Sequence, residues 1–343
     1  MLMSRQSYSY EMLRSELTWV VGDDNVQTDC SEKLAHSIDY YWVPEVWHDR
    51  GLKPQVPTFI VHPGSSEEVA EILKIANTHK IPVTPWGGGS GSQGGALPMY
   101  GGICLDTKRL NKVLEIDPVS LTVTAEAGII MQHLEWEVQK AGFSTMHFPA
   151  SIACATLGGF IAHRGTGVLS TRYGKIEDMI MSMEVVTPTG EIINTLPVPR
   201  HASGPDLAQV FLGSEGTLGV VTKATMKIHP LPEVRKFHAY LFPDLHSGMV
   251  AGEKLMARRL QPSVIRLYDH ASTIRVIKRV LGIEREGAYL VFGFDGEEDI
   301  VDLQMKKAID ICEETAIEDL GTEMGQTWWD QRYKFYYPPY TFQ

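Results

Sequence analysis

A glycine-rich stretch at residues 85–95, PWGGGSGSQGG, constrains the fold of this chain more than any other feature. Residues 89–94 have the spacing G-x-G-x-x-G, which in dinucleotide-binding folds opens an amphipathic helix directly after a strand. Here Pro98 and the pair Gly101-Gly102 interrupt any helix within its first turns. The spacing is therefore coincidental, and the stretch is predicted to be a loop between strands. Short β runs follow at Ile103 to Asp106, Val113 to Ile116 and Leu121 to Glu126.

Such a loop can bind an anion without a helix. Glycines tolerate positive φ values, so successive N–H groups can converge into a concave nest around a diphosphate. Backbone donors rather than lysines would hold the oxygens, which suits a chain with a formal net charge of −11. A flexible glycine linker is the alternative, but the loop lies between two β runs of one unit. The glycines that let the chain take positive φ values here are Gly87, Gly88, Gly89, Gly91, Gly94 and Gly95.

The residues before the loop predict a β-α-β unit. A β run at Thr58 to Val61 precedes Ser65, which can cap a helix over residues 66–79 that has its apolar residues on one face. A short strand at Pro82 to Pro85 then leads into the glycines. Nearer the N-terminus, Tyr10 to Val21 can form a short helix, while the aromatic segment after it shows no clear period.

Charge and composition argue against several classes of function. A pI near 5.6 disfavours nucleic-acid or anionic-membrane binding, because both require a basic patch. The aromatic tail WWDQRYKFYYPPYTFQ lacks the basic groove of a base-stacking platform. Four separated cysteines predict neither a disulfide framework nor a zinc site and favour a reducing cytoplasm. We expect neither a signal peptide nor a transmembrane segment, since no apolar run approaches the ~20 residues of a span.

Two further glycine-rich turns lie downstream, in PASIACATLGGFIAHRGTGVLSTRYGK (149–175) and in FLGSEGTLGVVTKATMKIHPLP (211–232). With the neighbouring string IEDMIMSMEVVTPTGEI, they resemble the flavoprotein family whose FAD-binding domain is shared by vanillyl-alcohol oxidase and p-cresol methylhydroxylase. The resemblance begins near residue 56. Within the family it is greatest to alkyldihydroxyacetonephosphate synthase, then to the glycolate oxidase and D-lactate dehydrogenase group.

The resemblance implies an α+β fold, with a two-subdomain PCMH-type FAD-binding domain followed by a partial ferredoxin-like cap. It implies FAD bound by four segments, and non-covalent binding is expected because the diphosphate loop contains neither His nor Cys. The diphosphate segment comprises Pro85, Trp86, Gly87, Gly88, Gly89, Ser90, Gly91 and Ser92. The second comprises Pro149, Ala150, Ser151, Thr156, Gly158 and Gly159. The third comprises Arg164 and Thr166, with Tyr173 and Gly174 supporting a turn against the flavin. The fourth comprises Glu215, Gly216, Thr217, Leu218, Gly219 and Val221.

Several of these residues have an alternative interpretation. Arg164 is either a cation near the diphosphate or the flavin N1–C2=O edge, or a surface arginine. Arg200 matches an arginine of the synthase and is a candidate for binding an anionic substrate, or it lies in a solvated loop. Arg266 is a second candidate for a substrate anion, or an exposed strand residue. Structural histidines are expected at His147, His163 and His201, which lack ligand spacing, and no metal site is predicted.

The chain is predicted to have three parts: an N-terminal segment at 1–55, the FAD-binding domain at 56–232 and the partial cap at 233–343. In the cap, a helix near 245–259 and a strand at 263–268 belong to two strand-helix repeats. In the family the cap continues beyond such a tail and carries a histidine cluster and a tyrosine. We therefore expect a fragment, a split-gene product or a chain completed by a partner subunit, with a homodimer by analogy.

Three functions follow from these features. The first is an FAD-dependent oxidoreductase that acts on a 2-hydroxy acid or similar CH–OH substrate, with hydride transfer to flavin N5. The second is alkylglycerone-phosphate synthase, which exchanges a fatty acyl group for a fatty alcohol in ether-lipid synthesis. The third is a catalytically incomplete FAD-binding subunit. No catalytic residue is assigned within the chain.

Overall fold

The computed structural model describes residues 9–198 and 201–335. Its strands are β1 (Val26–Gln27), β2 (Phe59–Val61), β3 (Val83–Trp86), β4 (Ile103–Asp106), β5 (Val113–Asp117), β6 (Thr122–Glu126), β7 (Phe143–Ser144), β8 (Ile180–Val186), β9 (Ile192–Asn194), β10 (Val220–Lys227), β11 (His229–Pro230), β12 (Val234–Phe242), β13 (Val264–Tyr268), β14 (Ala288–Gly296) and β15 (Glu318–Leu320). Its α-helices are α1 (Tyr10–Val21), α2 (Cys30–Ala35), α3 (Trp42–Asp49), α4 (Ser66–His79), α5 (Met131–Lys140), α6 (Leu157–His163), α7 (Ser170–Tyr173), α8 (Ile176–Met179), α9 (Leu207–Phe211), α10 (Leu245–Ala257), α11 (His270–Ser272), α12 (Lys278–Leu281), α13 (Glu298–Cys312) and α14 (Gly321–Gln331).

The chain folds into two compact units. The first lies within residues 1–145, 151–165 and 176–229, and the second within 146–150, 166–175 and 230–343. This division differs from the three predicted parts, because the N-terminal segment packs into the first unit and two short stretches of the glycine-rich region pack into the second. The predicted bounds of the three domains stay a prediction.

The first sheet of the first unit contains the predicted β-α-β unit, in the order β1-β2-β4-β3. Strands β2 and β3 both run parallel to β4, and α4 connects them. The α4 helix begins as predicted, since the Ser65 hydroxyl accepts a hydrogen bond from the Glu68 N–H at 3.2 Å. Residues 87–102 then return from β3 to β4 without a helix, which confirms the prediction from the sequence.

The N-terminal segment is more ordered than its sequence suggests. The predicted helix Tyr10–Val21 is confirmed, and its Leu13 and Leu17 are fully buried in one core with Phe59 and Ile72. The aromatic segment at 38–57, which showed no period, contains the short helix α3, and the short helix α2 lies just before it. Helices of six and eight residues contain too few turns for a 3.6-residue pattern to stand out, which explains why the sequence did not reveal them.

The second sheet of the first unit is antiparallel, in the order β5-β6-β10-β8-β9. Glu184 on β8 connects this sheet to α4, because it accepts hydrogen bonds from the Ser66 hydroxyl, from the Thr222 hydroxyl at 2.7 Å and from the Lys223 ammonium at 3.0 Å. Burial raises the pKa of Glu184, but these three donors outweigh it and lower the pKa overall. The carboxylate thus fixes the helix against the second sheet.

The second unit has the predicted antiparallel sheet with two strand-helix repeats, in the order β13-β14-β12-β15. Helices α10 and α13 pack on one face, around Phe242, Leu290 and Phe292. On the other face α14 lies against β12, where Trp329 stacks on Phe237 with 5.0 Å between ring centroids. Trp328 is buried, so this part of the aromatic tail belongs to the core.

No helix in residues 9–198 and 201–335 is long and apolar enough to cross a membrane.

Candidate functional site

The diphosphate loop, residues 87–95, follows β3 and presents unused hydrogen-bond donors. Within the part of the chain that the structure describes, no backbone N–H group of residues 88–95 donates a hydrogen bond to a protein atom. Most of these residues are half-buried rather than fully solvated. Consecutive N–H groups without a protein acceptor are what an anion-binding nest provides, so the loop fits a diphosphate.

The glycines of this loop serve different purposes. Positive φ occurs at Gly89 (60°) and Gly94 (79°), and not at Gly87, Gly88, Gly91 or Gly95. At Gly88 a Cβ would overlap the Cys154 backbone carbonyl, and at Gly87 it would overlap the Thr156 hydroxyl. At Gly95 it would overlap the Glu215 carboxylate, which is the end of a flexible side chain and can move away.

Gly91 differs from the other three, since a Cβ added there would meet no heavy atom within 4 Å. Its φ is not in the left-handed region, so the backbone does not require glycine either. The space in front of Gly91 is open, in the middle of the unused N–H groups. The loop therefore leaves room for a ligand at this position.

Three of the four predicted cofactor segments meet in the first unit. In the second segment, the Thr156 hydroxyl lies against Gly87 and caps α6 by accepting from the Gly159 N–H at 3.1 Å. In the fourth, a Cβ at Gly216 would lie 2.9 Å from the Pro85 ring, and the Glu215 N–H donates to the Ala162 carbonyl at 3.0 Å. The remaining predicted residues of this unit are Trp86, Ser90, Ser92, Ser151, Gly158, Thr217, Leu218, Gly219 and Val221.

Arg164 ends α6 in the left-handed conformation, with φ 57°. Its side chain is exposed and runs along Gly213, and its guanidinium donates to the Gln209 backbone and side-chain oxygens at 3.4 Å. These long hydrogen bonds leave the guanidinium able to bind an anion. Its assignment to the cofactor stays a prediction.

A buried carboxylate behind the loop was missed by the sequence analysis. Asp106 at the end of β4 is 1% exposed, and it accepts hydrogen bonds from the His36 Nε2 at 3.1 Å and the Lys108 ammonium at 2.6 Å. Lys108 also donates to the Gly87 carbonyl at 3.3 Å. A lysine therefore lies behind the loop, where it contacts the Gly87 carbonyl and Asp106, while the expectation that backbone groups bind the diphosphate oxygens stays a prediction. A charged residue that ends a fully buried strand was the available signal.

The N-terminal segment also contacts the loop, which the sequence did not indicate. The Tyr40 N–H donates to the Gly89 carbonyl at 3.0 Å, and a Cβ at Gly94 would lie 3.0 Å from the Tyr41 ring. The His36 ring lies 5.0 Å from the Trp86 ring, between centroids. The loop is thus held from the side of residues 36–41 as well as from β4.

The other predicted site residues lie in the second unit, which contains Pro149, Ala150, Thr166, Tyr173, Gly174 and Arg266. Tyr173 does more than shape a turn, because its hydroxyl donates at 2.8 Å to Asp295, which is 1% exposed. Burial, followed by the Asp295 charge, raises the pKa of Tyr173, so the phenol stays protonated. Arg172 and Arg235 also pair with Asp295, at 3.1 and 3.0 Å.

Of the two candidate substrate arginines, only Arg266 lies within the residues that the structure describes. Arg266 lies on the edge strand β13, opposite Val291, with an exposed side chain. Arg200 lies outside the described residues. His147 is fully buried, and burial lowers its pKa to about 4, as expected of a structural histidine. No cluster of three or more potential metal-ligating side chains occurs in the described ranges.

Comparison with protein families matches residues 57–196 to an FAD binding domain and residues 231–338 to the C-terminal domain of FAD linked oxidases. The chain is 30% identical over 352 residues to alkyldihydroxyacetonephosphate synthase of Trypanosoma brucei brucei, covering 94% of this chain and 57% of the relative. It is 30% identical over 307 residues to glycolate oxidase subunit GlcD of Bacillus subtilis, covering 88% and 63%.

Solved structures give the same result. A structure of alkyldihydroxyacetonephosphate synthase superposes with a TM-score of 0.84 at 28% identity, covering 97% of this chain and 64% of that one. The structure of p-cresol methylhydroxylase superposes with a TM-score of 0.77 at 22% identity, covering 95% and 68%, which confirms the PCMH-type fold. The chain spans 57–63% of the length of the two curated relatives.

Proposed function

The chain belongs to the family of FAD-linked oxidases, with FAD as its cofactor, and on this premise we propose that it takes part in oxidising a 2-hydroxy acid or a similar CH–OH substrate. The observation that carries the proposal is the diphosphate loop, whose unused N–H groups and open space at Gly91 fit the diphosphate of FAD. When bound, FAD supplies the hydride acceptor at flavin N5.

In this proposal the residues of the chain bind and orient rather than transfer protons. The loop binds the diphosphate through backbone N–H groups, and Arg164 adds a positive charge beside it. Arg266, and Arg200 from outside the described residues, would bind the carboxylate or phosphate of an anionic substrate. No residue of this chain is assigned as the base that removes the substrate proton. The chain spans only 57–63% of the length of the two curated relatives.

Two other functions have support of their own. Alkylglycerone-phosphate synthesis is favoured by the match to the trypanosomal synthase over 94% of the chain. A catalytically incomplete FAD-binding subunit, completed by a partner or by a second copy, is favoured by the 57–63% coverage of the relatives. A cytoplasmic location belongs to the proposal as well, supported by four cysteines that are all thiols.

Anaerobic titration of the flavin-loaded protein separates these functions. Oxidoreduction predicts that a D-2-hydroxy acid bleaches the visible flavin absorbance, and that Arg266→Ala raises the concentration required about tenfold through loss of a charged hydrogen bond. Exposed Lys307→Ala, on α13, is the control and should leave the titration unchanged. No bleaching by any hydroxy acid would reject the redox proposal.

The same sample tests the alternatives. A change of flavin spectrum on adding an acyl-dihydroxyacetone phosphate, without bleaching, would support the synthase. Retained flavin that responds to neither substrate class would support the incomplete subunit. Loss of all flavin during gel filtration of the protein loaded with FAD would contradict the cofactor assignment itself.

A further inference from the structure

His36 lies between two groups that can only accept hydrogen bonds. Its Nδ1 is 2.9 Å from the Glu32 backbone carbonyl, and its Nε2 is 3.1 Å from the Asp106 carboxylate. A neutral imidazole has one N–H, so it can satisfy only one of these acceptors, whereas the imidazolium satisfies both. The geometry therefore favours a charged His36, at a side chain that is only 8% exposed.

The charged groups around His36 set the direction of its pKa. Burial lowers the pKa, but the hydrogen bonds to Asp106 and to the Glu32 carbonyl outweigh it and raise the pKa above its usual value. Lys108 acts in the opposite direction, and the Glu32 carboxylate lies 3.8 Å from Nδ1. His62, whose ring is 6.4 Å away and whose Nδ1 lies 3.7 Å from the Asp106 carboxylate, has its pKa lowered by burial.

The proton on His36 adds one positive charge to the group of side chains behind the diphosphate loop. Asp106 is paired with two cations, His36 and Lys108, and Lys108 also holds the Gly87 carbonyl. Loss of the His36 proton removes this charge. The one remaining N–H stays on Nε2, facing the Asp106 carboxylate, so the Glu32 carbonyl on α2 loses its donor. The first change weakens the attraction for a diphosphate, and the second weakens the contact of His36 with α2.

The same segment contacts the loop directly. Residues 36–41, here called the N-terminal clamp, contribute the Tyr40 N–H to the Gly89 carbonyl and the Tyr41 ring to Gly94. Asp39 orders the clamp by accepting from the Tyr41 N–H at 3.0 Å, and burial raises the pKa of this carboxyl. The clamp precedes the segment that matches the FAD binding domain, which begins at residue 57.

We propose that the N-terminal clamp is part of the FAD site and that His36 is its positioning residue, so that FAD is held more tightly when His36 carries its proton. The inference rests on the proposed use of the diphosphate loop. Because the pKa of His36 is raised, the stabilisation is complete below the ordinary histidine pKa near ~6.5 and is lost as the pH rises through the higher value in the folded protein.

The test is the dissociation constant of FAD for the flavin-free full chain, measured by quenching of flavin fluorescence between pH 6 and pH 9. Wild-type affinity should fall about fivefold over this range. His36→Gln should bind about fivefold more weakly than wild type at pH 6 and show a flat profile, since glutamine keeps a donor for Asp106 but does not titrate. The matched control is His79→Gln, which changes the 2.8 Å hydrogen bond of α4 with the Glu16 carboxylate and should retain the wild-type profile.

A wild-type affinity that does not change with pH would overturn the proposal without any variant, which covers the case in which His36→Gln does not fold. A folded His36→Gln with the wild-type pH profile would overturn it as well. Absence of FAD binding at every pH would instead contradict the cofactor assignment, so the two failures are distinguishable.

Discussion

Each unit of the molecule contains one buried aspartate between two cationic side chains. In the first unit Asp106 pairs with His36 and Lys108, and in the second Asp295 pairs with Arg172 and Arg235. Both aspartates are 1% exposed. The difference lies in the partners: histidine and lysine can lose a proton, whereas arginine stays charged at any physiological pH.

The two clusters have similar arrangements of charge but respond differently when the carboxylate loses its charge. If Asp106 lost its charge, His36 could release its proton and avoid a buried, uncompensated charge. The arginines beside Asp295 cannot lose a proton in this way, so the stability of the second unit depends more strongly on the Asp295 carboxylate. Asp295 therefore keeps the second unit rigid, whereas Asp106 suits a site whose ligand affinity changes with pH.

The largest effect is expected from Asp295→Asn. Two arginines would be left beside a neutral side chain, and the second unit should lose about 3 kcal/mol of stability. Hydrogen–deuterium exchange of peptides from β12 and β14 measures this loss locally. Exposed Asp310→Asn on α13 is the control and should change protection little. Unchanged protection in Asp295→Asn would mean that the two clusters do not differ as described.

A smaller effect is expected from Asp106→Asn, about 2 kcal/mol at pH 6, because His36 can become neutral and Lys108 is partly exposed. The effect should decrease toward pH 9, where wild-type His36 has itself lost its proton. Urea unfolding at the two pH values measures it. Asp23→Asn, which removes the exposed ion pair with Arg14, is the matched control. A loss equal at both pH values would contradict a titrating partner.

The smallest change in the folded protein is expected from Gly91→Ala. The added methyl group meets no protein atom, so stability should stay within about 0.5 kcal/mol of wild type. FAD affinity should nevertheless fall about tenfold, because the methyl group occupies the space in front of the unused N–H groups. Gly252→Ala on α10 is the control substitution. Wild-type FAD affinity in Gly91→Ala would place the diphosphate elsewhere.

Gly88 shows why the choice of glycine matters. A Cβ there overlaps the Cys154 carbonyl, so a substitution would displace the backbone of the second cofactor segment whether or not FAD is present. Loss of FAD from a Gly88 variant would follow from this displacement alone. The open position at Gly91 separates ligand contact from folding, which the sequence could not show, since both residues are glycines in one run.

Much of the fold could be predicted from local patterns. The cap at Ser65 and the apolar face of residues 66–79 predicted α4 with its observed bounds, and Pro98 with Gly101-Gly102 excluded a helix after the loop. The two strand-helix repeats indicated the sheet of the second unit. These features depend on residues that are close together in the sequence, so one sequence is enough to recognise them.

The cluster at Asp106 could not be predicted in the same way. His36 lies 70 residues before Asp106, and Tyr40 lies 49 residues before Gly89, so neither contact produces a periodic pattern in the sequence. Arg235 and Asp295 likewise meet only because β12 and β14 pair in register. The positions of the site residues relative to each other depend on which strands become neighbours.

The sequence by itself determined the presence of a glycine loop between strands, its lack of a following helix and its resemblance to FAD-linked oxidases. Backbone conformation and capping are local, and short-range sterics and hydrogen bonds decide them. Only the tertiary structure decided which glycine faces open space and which carboxylate lies behind the loop. Both follow from long-range packing, which brings residues distant in sequence so close together that they leave no space for a Cβ or form a hydrogen bond.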